Sequence, residues 1–203
     1  MRVIAGTYRS RQLIAPRGSA TRPTSDRLRE TLFNVIAARV AGSRFADLYA
    51  GSGAVGIEAI SRGAAQVWFA EKSEAALAAI RANLKALQIS RGFTLEPRGS
   101  GALLERLAKA AQKTEAEGQT SVANQSGKQL DLVYLDPPWE AKYANTLHLL
   151  GSALGGAILA PDSVVVAEHN CKTLLAARYG ELVQTRRLKQ GDAALSFYRL
   201  KSD

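Results

Sequence analysis

From residue 45 onward, short apolar runs rich in β-branched and aromatic residues alternate with Ala/Leu-rich stretches of helical period. This alternation constrains the fold more than any other feature of the chain. Strand-like runs fall at 45–49 (FADLY), 65–70 (AQVWFA), 93–96 (FTLE), 130–135 (LDLVYL) and 163–167 (SVVVA). Helical patterns fall between and after them, at 53–62, 73–88, 101–113, 141–155 and 171–178. Strands alternating with helices build βαβ units, and parallel strands need cover on both faces. Two more strand-like runs, 181–188 and 193–200, flank Gln190-Gly191-Asp192, a turn that reads as a hairpin. The expected fold is therefore α/β, with a mostly parallel seven-stranded sheet that ends in an antiparallel C-terminal hairpin.

The front of the chain reads differently. In residues 1–20, Val3-Ile4 and Leu13-Ile14 flank a Gly/Arg-rich centre, which predicts a small basic β-hairpin ahead of a main domain over 21–203. Thr24-Ser25-Asp26 supplies capping residues for a helix through about Ala38, with Leu28, Leu32, Val35 and Ile36 as its apolar positions. Residues 112–129 are polar and rich in Gln, Ser and Gly, and are expected to form a mobile surface loop.

Charge is distributed unevenly. Of the net +9, residues 1–44 hold nine arginines against Asp26 and Glu30, and residues 178–203 hold six basic and three acidic residues. The body between them is close to neutral. Arginine-rich ends favour a polyanion such as RNA, since the guanidinium binds phosphate in bidentate fashion and stacks on bases. A solvated face or an acidic protein partner is the alternative. Cys171 is the single cysteine, which leaves no disulfide framework and no cysteine-rich metal site. No run approaches the roughly 20 apolar residues of a membrane span, and the start lacks a signal-peptide pattern. A cytoplasmic protein without a metal is expected.

Two short motifs carry chemistry. The strand 130–135 delivers Asp136-Pro137-Pro138-Trp139. Proline lacks an N–H and pushes the preceding residue into extended backbone. The stiff loop thus offers acceptors alone, the Asp136 carboxylate and bare carbonyls, beside an aromatic plane. Such a site suits a planar group with an exocyclic amine. The alternative is that the prolines end a buried strand and Trp139 caps the core. The second motif, Asp47-Leu48-Tyr49-Ala50-Gly51-Ser52-Gly53-Ala54-Val55-Gly56, follows the first strand and opens a helix. Its glycine spacing matches a dinucleotide fingerprint. Asp47, just ahead of the glycines, could instead bind a cation, and Glu71, at the end of the next strand beside Lys72, could accept both hydroxyls of a ribose. An ammonium with one ribose describes S-adenosylmethionine, though NAD and a turn without a ligand stay open. Both motifs close strands at the same sheet edge, so they can share one pocket.

Together these motifs resemble class I S-adenosylmethionine-dependent methyltransferases, a Rossmann-like fold, of the amino-methylating kind. More closely, the chain resembles the bacterial 16S ribosomal RNA guanine-N2 methyltransferases that act on the guanine called 966. The resemblance runs through Arg2-Val3-Ile4-Ala5-Gly6-Thr7-Tyr8-Arg9-Ser10-Arg11, the Arg22-Pro23-Thr24-Ser25-Asp26-Arg27-Leu28-Arg29-Glu30-Thr31-Leu32-Phe33-Asn34 block, Gly51-Ser52-Gly53, Asp136-Pro137-Pro138-Trp139 and Gly191-Asp192-Ala193-Ala194-Leu195. It implies a cofactor site of Asp47, Tyr49, Gly51, Ser52, Gly53, Glu71, Lys72 and, where the family usually has Asp or Asn to read adenine, Ser100. It implies catalysis by Asp136, Pro137, Pro138 and Trp139, with the first two accepting the guanine amine hydrogens and Trp139 stacking on a base turned out of its helix. Arg2, Tyr8, Arg9, Arg11, Arg22, Thr24 and Arg27 would hold RNA, with Thr24 and Arg27 alternatively bordering the cofactor carboxylate. The implied substrate is ribosomal RNA, within the assembled small subunit, and the implied protein is a monomer.

Rival readings are a DNA adenine-N6 methyltransferase and a non-catalytic RNA-binding assembly factor. His148 and Cys171 are expected to be ordinary helix residues, the cysteine buried. His169, after Glu168 at the end of strand five, is the better-placed histidine.

Overall fold

The computed structural model describes residues 1–16, 24–116, 130–137 and 143–201. One eight-stranded sheet runs through these residues in the order β3-β2-β1-β4-β5-β8-β7-β6. Its members are β1 (Arg44–Leu48), β2 (Gln66–Ala70), β3 (Phe93–Glu96), β4 (Leu130–Leu135), β5 (Leu159–Asn170), β6 (Arg178–Tyr179), β7 (Leu182–Gln190) and β8 (Ala193–Leu200). The first five are parallel to their neighbours; β8 then runs antiparallel to β5, and β7 antiparallel to β8. The expected hairpin is therefore present. An eighth strand of two residues, β6, extends the edge beyond the seven expected.

Helices α1 (Asp26–Ile36), α2 (Ala54–Ser61), α3 (Glu74–Ala86), α4 (Ser100–Ala116), α5 (Tyr143–Leu150) and α6 (Ala153–Ile158) complete the fold. The chain thus covers both faces of its parallel strands, as their nearly unbroken apolar character demands. One core gathers Leu28, Leu32, Phe33, Ile57 and Ile80 against Phe45, Val67, Phe69 and Tyr134. The other sets Leu103, Leu104, Leu147, Leu150 and Ile158 against Leu48, Val133, Leu135 and Val165.

Local signals explain most boundaries. Ser25 and Ser73 cap α1 and α3, each hydroxyl accepting the N–H three residues on, from Leu28 at 3.2 Å and Ala76 at 3.4 Å. The single helix expected over 141–155 is two, broken at Gly151-Ser152. The helix expected over 171–178 does not form. Asn170 turns the chain instead, its side-chain oxygen accepting Lys172 N–H at 2.8 Å and its carbonyl accepting Thr173 N–H. Cys171 N–H then donates to Asp192 of the hairpin, and the Cys171 carbonyl accepts the Arg187 guanidinium at 2.7 Å. Helical propensity loses here to partners supplied by β7 and β8. Cys171 is accordingly half-buried in a turn, a correction to its expected place in a buried helix.

The basic front end folds back onto α2. Antiparallel contacts join its two limbs: Val3 N–H donates to Arg11 at 2.9 Å and Leu13 N–H to Met1 at 3.0 Å, around an Arg2–Gln12 bridge. Glu58, fully buried on α2, accepts Ile4 N–H at 2.7 Å, Ala5 N–H at 3.0 Å and Arg62 Nε at 2.7 Å. Val3 and Leu13 join the core beneath.

Candidate active site

The sheet order reverses between β1 and β4, and that switch point is where an open α/β sheet leaves a crevice at its C-terminal strand ends. Leu48 and Leu135 pair there as the last residues of their strands. The pairing holds two segments side by side: the glycine turn after β1 and Asp136-Pro137 after β4. Asp136 N–H reaches back to the Leu48 carbonyl at 3.4 Å.

The glycine turn is held by two carboxylates. Tyr49, Gly51 and Gly53 all take positive φ, a rare conformation for the tyrosine. No side chain caps α2 at Gly53; the buried Asp47 carboxylate accepts Gly56 N–H instead, at 2.8 Å. A side chain at Gly56 could not be accommodated, since a Cβ there would lie 2.2 Å from the Phe69 ring. Burial pushes the Asp47 carboxyl up to about 7, against the pull of the Gly56 N–H, and the Glu71 charge adds to the rise. Glu71 accepts Gly51 N–H at 2.8 Å with one oxygen, and Lys72 and Ser73 N–H at 2.7 and 2.8 Å with the other.

These residues fit the cofactor that the sequence implies. Among the described residues, a Cβ on Gly51 would meet nothing within 4 Å, so the turn's backbone faces open space there. The lone pairs left on the Glu71 oxygens can accept hydroxyls, and the buried Asp47 has no cationic partner among the described residues. The Lys72 stem runs beneath Gly99, next to the buried Ser100 that begins α4, so Glu71, Lys72 and Ser100 gather at the ends of β2 and β3. Tyr49 points elsewhere: its hydroxyl pairs with Thr146 of α5 at 2.8 Å.

Across the crevice lies an acidic cluster. The Thr24 hydroxyl is 3.1 Å from Glu168 Oε2, 3.4 Å from the Tyr134 hydroxyl and 3.5 Å from Asp136 Oδ2. Tyr134 also donates to Glu168 Oε2. Burial raises the Asp136 carboxyl well above the usual carboxylate range, and the neighbouring Glu168 and Asp47 charges raise it further. Burial also raises Glu168, which the Tyr134 and Thr24 hydroxyls partly offset. Tyr143 of α5 closes the cluster, its hydroxyl 3.5 Å from the Pro137 carbonyl and raised by burial and by both carboxylates. Among the described residues, no group of His, Cys, Asp and Glu side chains is arranged to hold a metal ion.

The site thus gathers Asp47, Gly51, Ser52, Gly53, Glu71, Asp136, Pro137 and Thr24, with Lys72 and Ser100 at its rim. Pro138, Trp139 and Arg22 lie outside the described residues. The RNA candidates Arg2, Arg9, Arg11 and Arg27 are exposed and Tyr8 is half-buried on the folded-back front end. Arg2 pairs loosely with Asp26 at 3.6 Å. Three residues of the cluster escaped the sequence reading as site residues: Tyr134, Tyr143 and Glu168. Two carried a readable signal. Tyr134 stands two positions before Asp136 and so shares its face of the strand, and Glu168 directly follows the run 163–167 at the ligand edge. His169 turns inward; its ring nitrogens meet Ser196 Oγ and the Asn170 carbonyl, each at 2.9 Å. His148 is an exposed helix residue with its ring edge-on to Tyr179.

A family model described as "Conserved hypothetical protein 95" matches residues 1–199. The chain belongs to this family. Among curated relatives, "Putative rRNA methyltransferase YlbH" of Bacillus subtilis is 33% identical over 199 residues, covering 98% of each chain. "Ribosomal RNA small subunit methyltransferase D" of Haemophilus influenzae is 32% identical over 148 residues, 71% of this chain and 66% of that one. Among solved structures, "Putative methyltransferase yhhF from Escherichia coli" superposes with a TM-score of 0.76 at 25% identity, covering 100% of this chain and 99% of that one. The fold of this family member is that of a class I methyltransferase.

Proposed function

We propose that the protein methylates ribosomal RNA of the small subunit, with S-adenosylmethionine as donor and the exocyclic N2 of a guanine, the one called 966, as acceptor. The observation that carries this reading is the pairing of Leu48 with Leu135, which sets a cofactor-type glycine turn beside an acceptor-only Asp-Pro loop. The names borne by the relatives support an RNA substrate, and so do the exposed arginines of the front end. Asp47 would take the cofactor's ammonium, Glu71 its ribose, and Ser100 its adenine. Held by these residues, the cofactor would supply a methyl group on a cationic sulfur, which would keep the electron pair of the broken C–S bond as the new N–C bond forms.

The chain's own residues deal with the amine. The N2 lone pair of guanine is delocalised into the ring, which makes it a poor nucleophile. Asp136 and the Pro137 carbonyl can accept its two hydrogens, favour a pyramidal nitrogen and aim the lone pair. The rate gain then comes from alignment and fixed charge, without a covalent enzyme intermediate. The front-end arginines would hold phosphates, which position the RNA and leave the base to be read in the crevice.

Methylation of small-subunit RNA, free and in assembled subunits, followed by digestion to nucleosides tests this reading. N2-methylguanine is expected at one position. Asp136→Ala should lower turnover by roughly 10²–10³-fold, the scale of losing one preorganised polar group at a reacting centre, with cofactor affinity unchanged. N6-methyladenine in DNA, with unmodified RNA, would overturn the assignment.

A further inference from the structure

Glu168 is 6% exposed at the ligand end of β5, and one of its oxygens receives both the Tyr134 and the Thr24 hydroxyls. The same Thr24 oxygen stands 3.5 Å from Asp136. That oxygen ties β5 to Tyr134 of β4 and, through Thr24, is wired to the group that would meet the substrate amine. Resting on the reading of Asp136 as amine acceptor, we propose that Glu168 is a positioning residue: through the Thr24 hydroxyl it shares a single proton with Asp136, and it takes that proton over when an amine arrives.

Among the described residues, the groups that face Asp136 are Asp47 from β1, Tyr134 from β4, Glu168 from β5, Tyr143 from α5 and Thr24 ahead of α1. All of these are acids or hydroxyls, and none of them offers positive charge to a second anion. Two carboxylates brought together without compensation keep one proton between them. Hydrogen bonds to the charged form favour it, and Glu168 has two hydroxyl donors where Asp136 has one long contact. The anion therefore rests on Glu168 and the proton on Asp136. Glu168 raises Asp136 further through its charge, whereas the Thr24 hydroxyl lowers it.

An arriving amine reverses the balance, because its N–H donors favour an ionised Asp136. Thr24 can carry the exchange: its oxygen accepts the Asp136 proton as its own hydroxyl proton passes to Glu168 Oε2. Contacts of this length often tighten once a substrate is bound. Methyl transfer leaves positive charge on the nitrogen, which then gives one N–H proton to the Asp136 carboxylate and keeps the bonding pair. The pair of acids now holds two protons. One leaves to solvent past the half-buried Asp136, and the single-proton state returns.

The test is an infrared titration of the ligand-free protein, in which Asp136→Asn identifies the band of the protonated Asp136 carboxyl. Glu168→Gln keeps the acceptor for both hydroxyls and removes the charge, so the band should vanish at a pH lower by on the order of one unit. Thr24→Val removes the oxygen that takes the Asp136 proton, so the band should move to the higher wavenumber of a carboxyl that donates to nothing, and Thr24→Ser should restore it. An unmoved titration in Glu168→Gln, or an unmoved wavenumber in Thr24→Val, would overturn the proposal. Should Glu168→Gln fail to fold, the Thr24→Val and Thr24→Ser pair decides alone by the same reading. In methyl transfer to RNA, the acid limb of kcat should move with the band in Glu168→Gln. Both band changes in a protein that leaves RNA unmethylated would strike the assignment of the reaction and leave the shared proton standing.

Discussion

Asp47 illustrates how much one buried carboxylate can reveal. Its visible donor is Gly56 N–H, at 2.8 Å, and its carboxyl is raised to about 7 by burial. A protein that only needed a cap for α2 could use a neutral oxygen there, since helix N-termini accept Ser, Thr or Asn as readily. A cationic group bound at Asp47 would favour the ionised form and release a proton on binding. Cofactor affinity should therefore weaken as pH falls below about 7, approaching tenfold per unit, and level off above it. Calorimetry across that range checks this. Asp47→Asn should bind more weakly at neutral pH and lose the dependence. At this scale the sequence placed Asp47, Glu71 and Asp136 at the strand ends, because that placement follows from their neighbours in the chain. Glu168 was harder, because its partners Thr24 and Tyr134 lie 144 and 34 positions away.

Among the elements, α2 carries the most. Its N-terminus abuts the glycine turn, and its buried Glu58 anchors the front end through Ile4 and Ala5 N–H, with Arg62 and Arg29 on the same carboxylate. Arg29 is itself fully buried and also bonds Asp26 at 3.0 Å and the Arg2 carbonyl. Glu58→Gln leaves that guanidinium without its second anion. A stability loss of about 3–5 kcal/mol is expected, as for a buried pair that loses one partner, along with faster hydrogen exchange at Ile4 and Ala5. Unchanged protection at those amides would refute the anchoring role. Periodicity and caps made α1, α3 and the parallel strands legible. Residues 171–178 were not, because helical propensity there competes with backbone partners from β7 and β8 that no local pattern shows.

For the molecule as a whole, the positive charge counted in the sequence overstates what a polyanion would meet. Of the arginines in residues 1–44, Arg29 is buried, Arg39 pairs with Asp162 at 2.9 Å and Arg44 stacks on Trp68 with its guanidinium 5.1 Å from the ring centre. Arg2, Arg9, Arg11 and Arg27 remain exposed. If Arg9 and Arg11 each neutralise a phosphate, replacing both by alanine should flatten the plot of log affinity for RNA against log salt by about 1.4, or ~0.7 per contact on single strands. An unchanged slope would remove the front end from the RNA surface.

The sequence by itself determined the α/β class, the parallel strands, the hairpin that ends the sheet and the two motifs at the strand ends, because each is written in local periodicity, caps and turn residues. Tertiary structure alone decided which of the described arginines stay exposed, that α2 holds the front end, and that Glu168, Tyr134 and Thr24 gather around Asp136. Burial and long-range pairing set those outcomes, and both depend on which distant elements the folded sheet brings together.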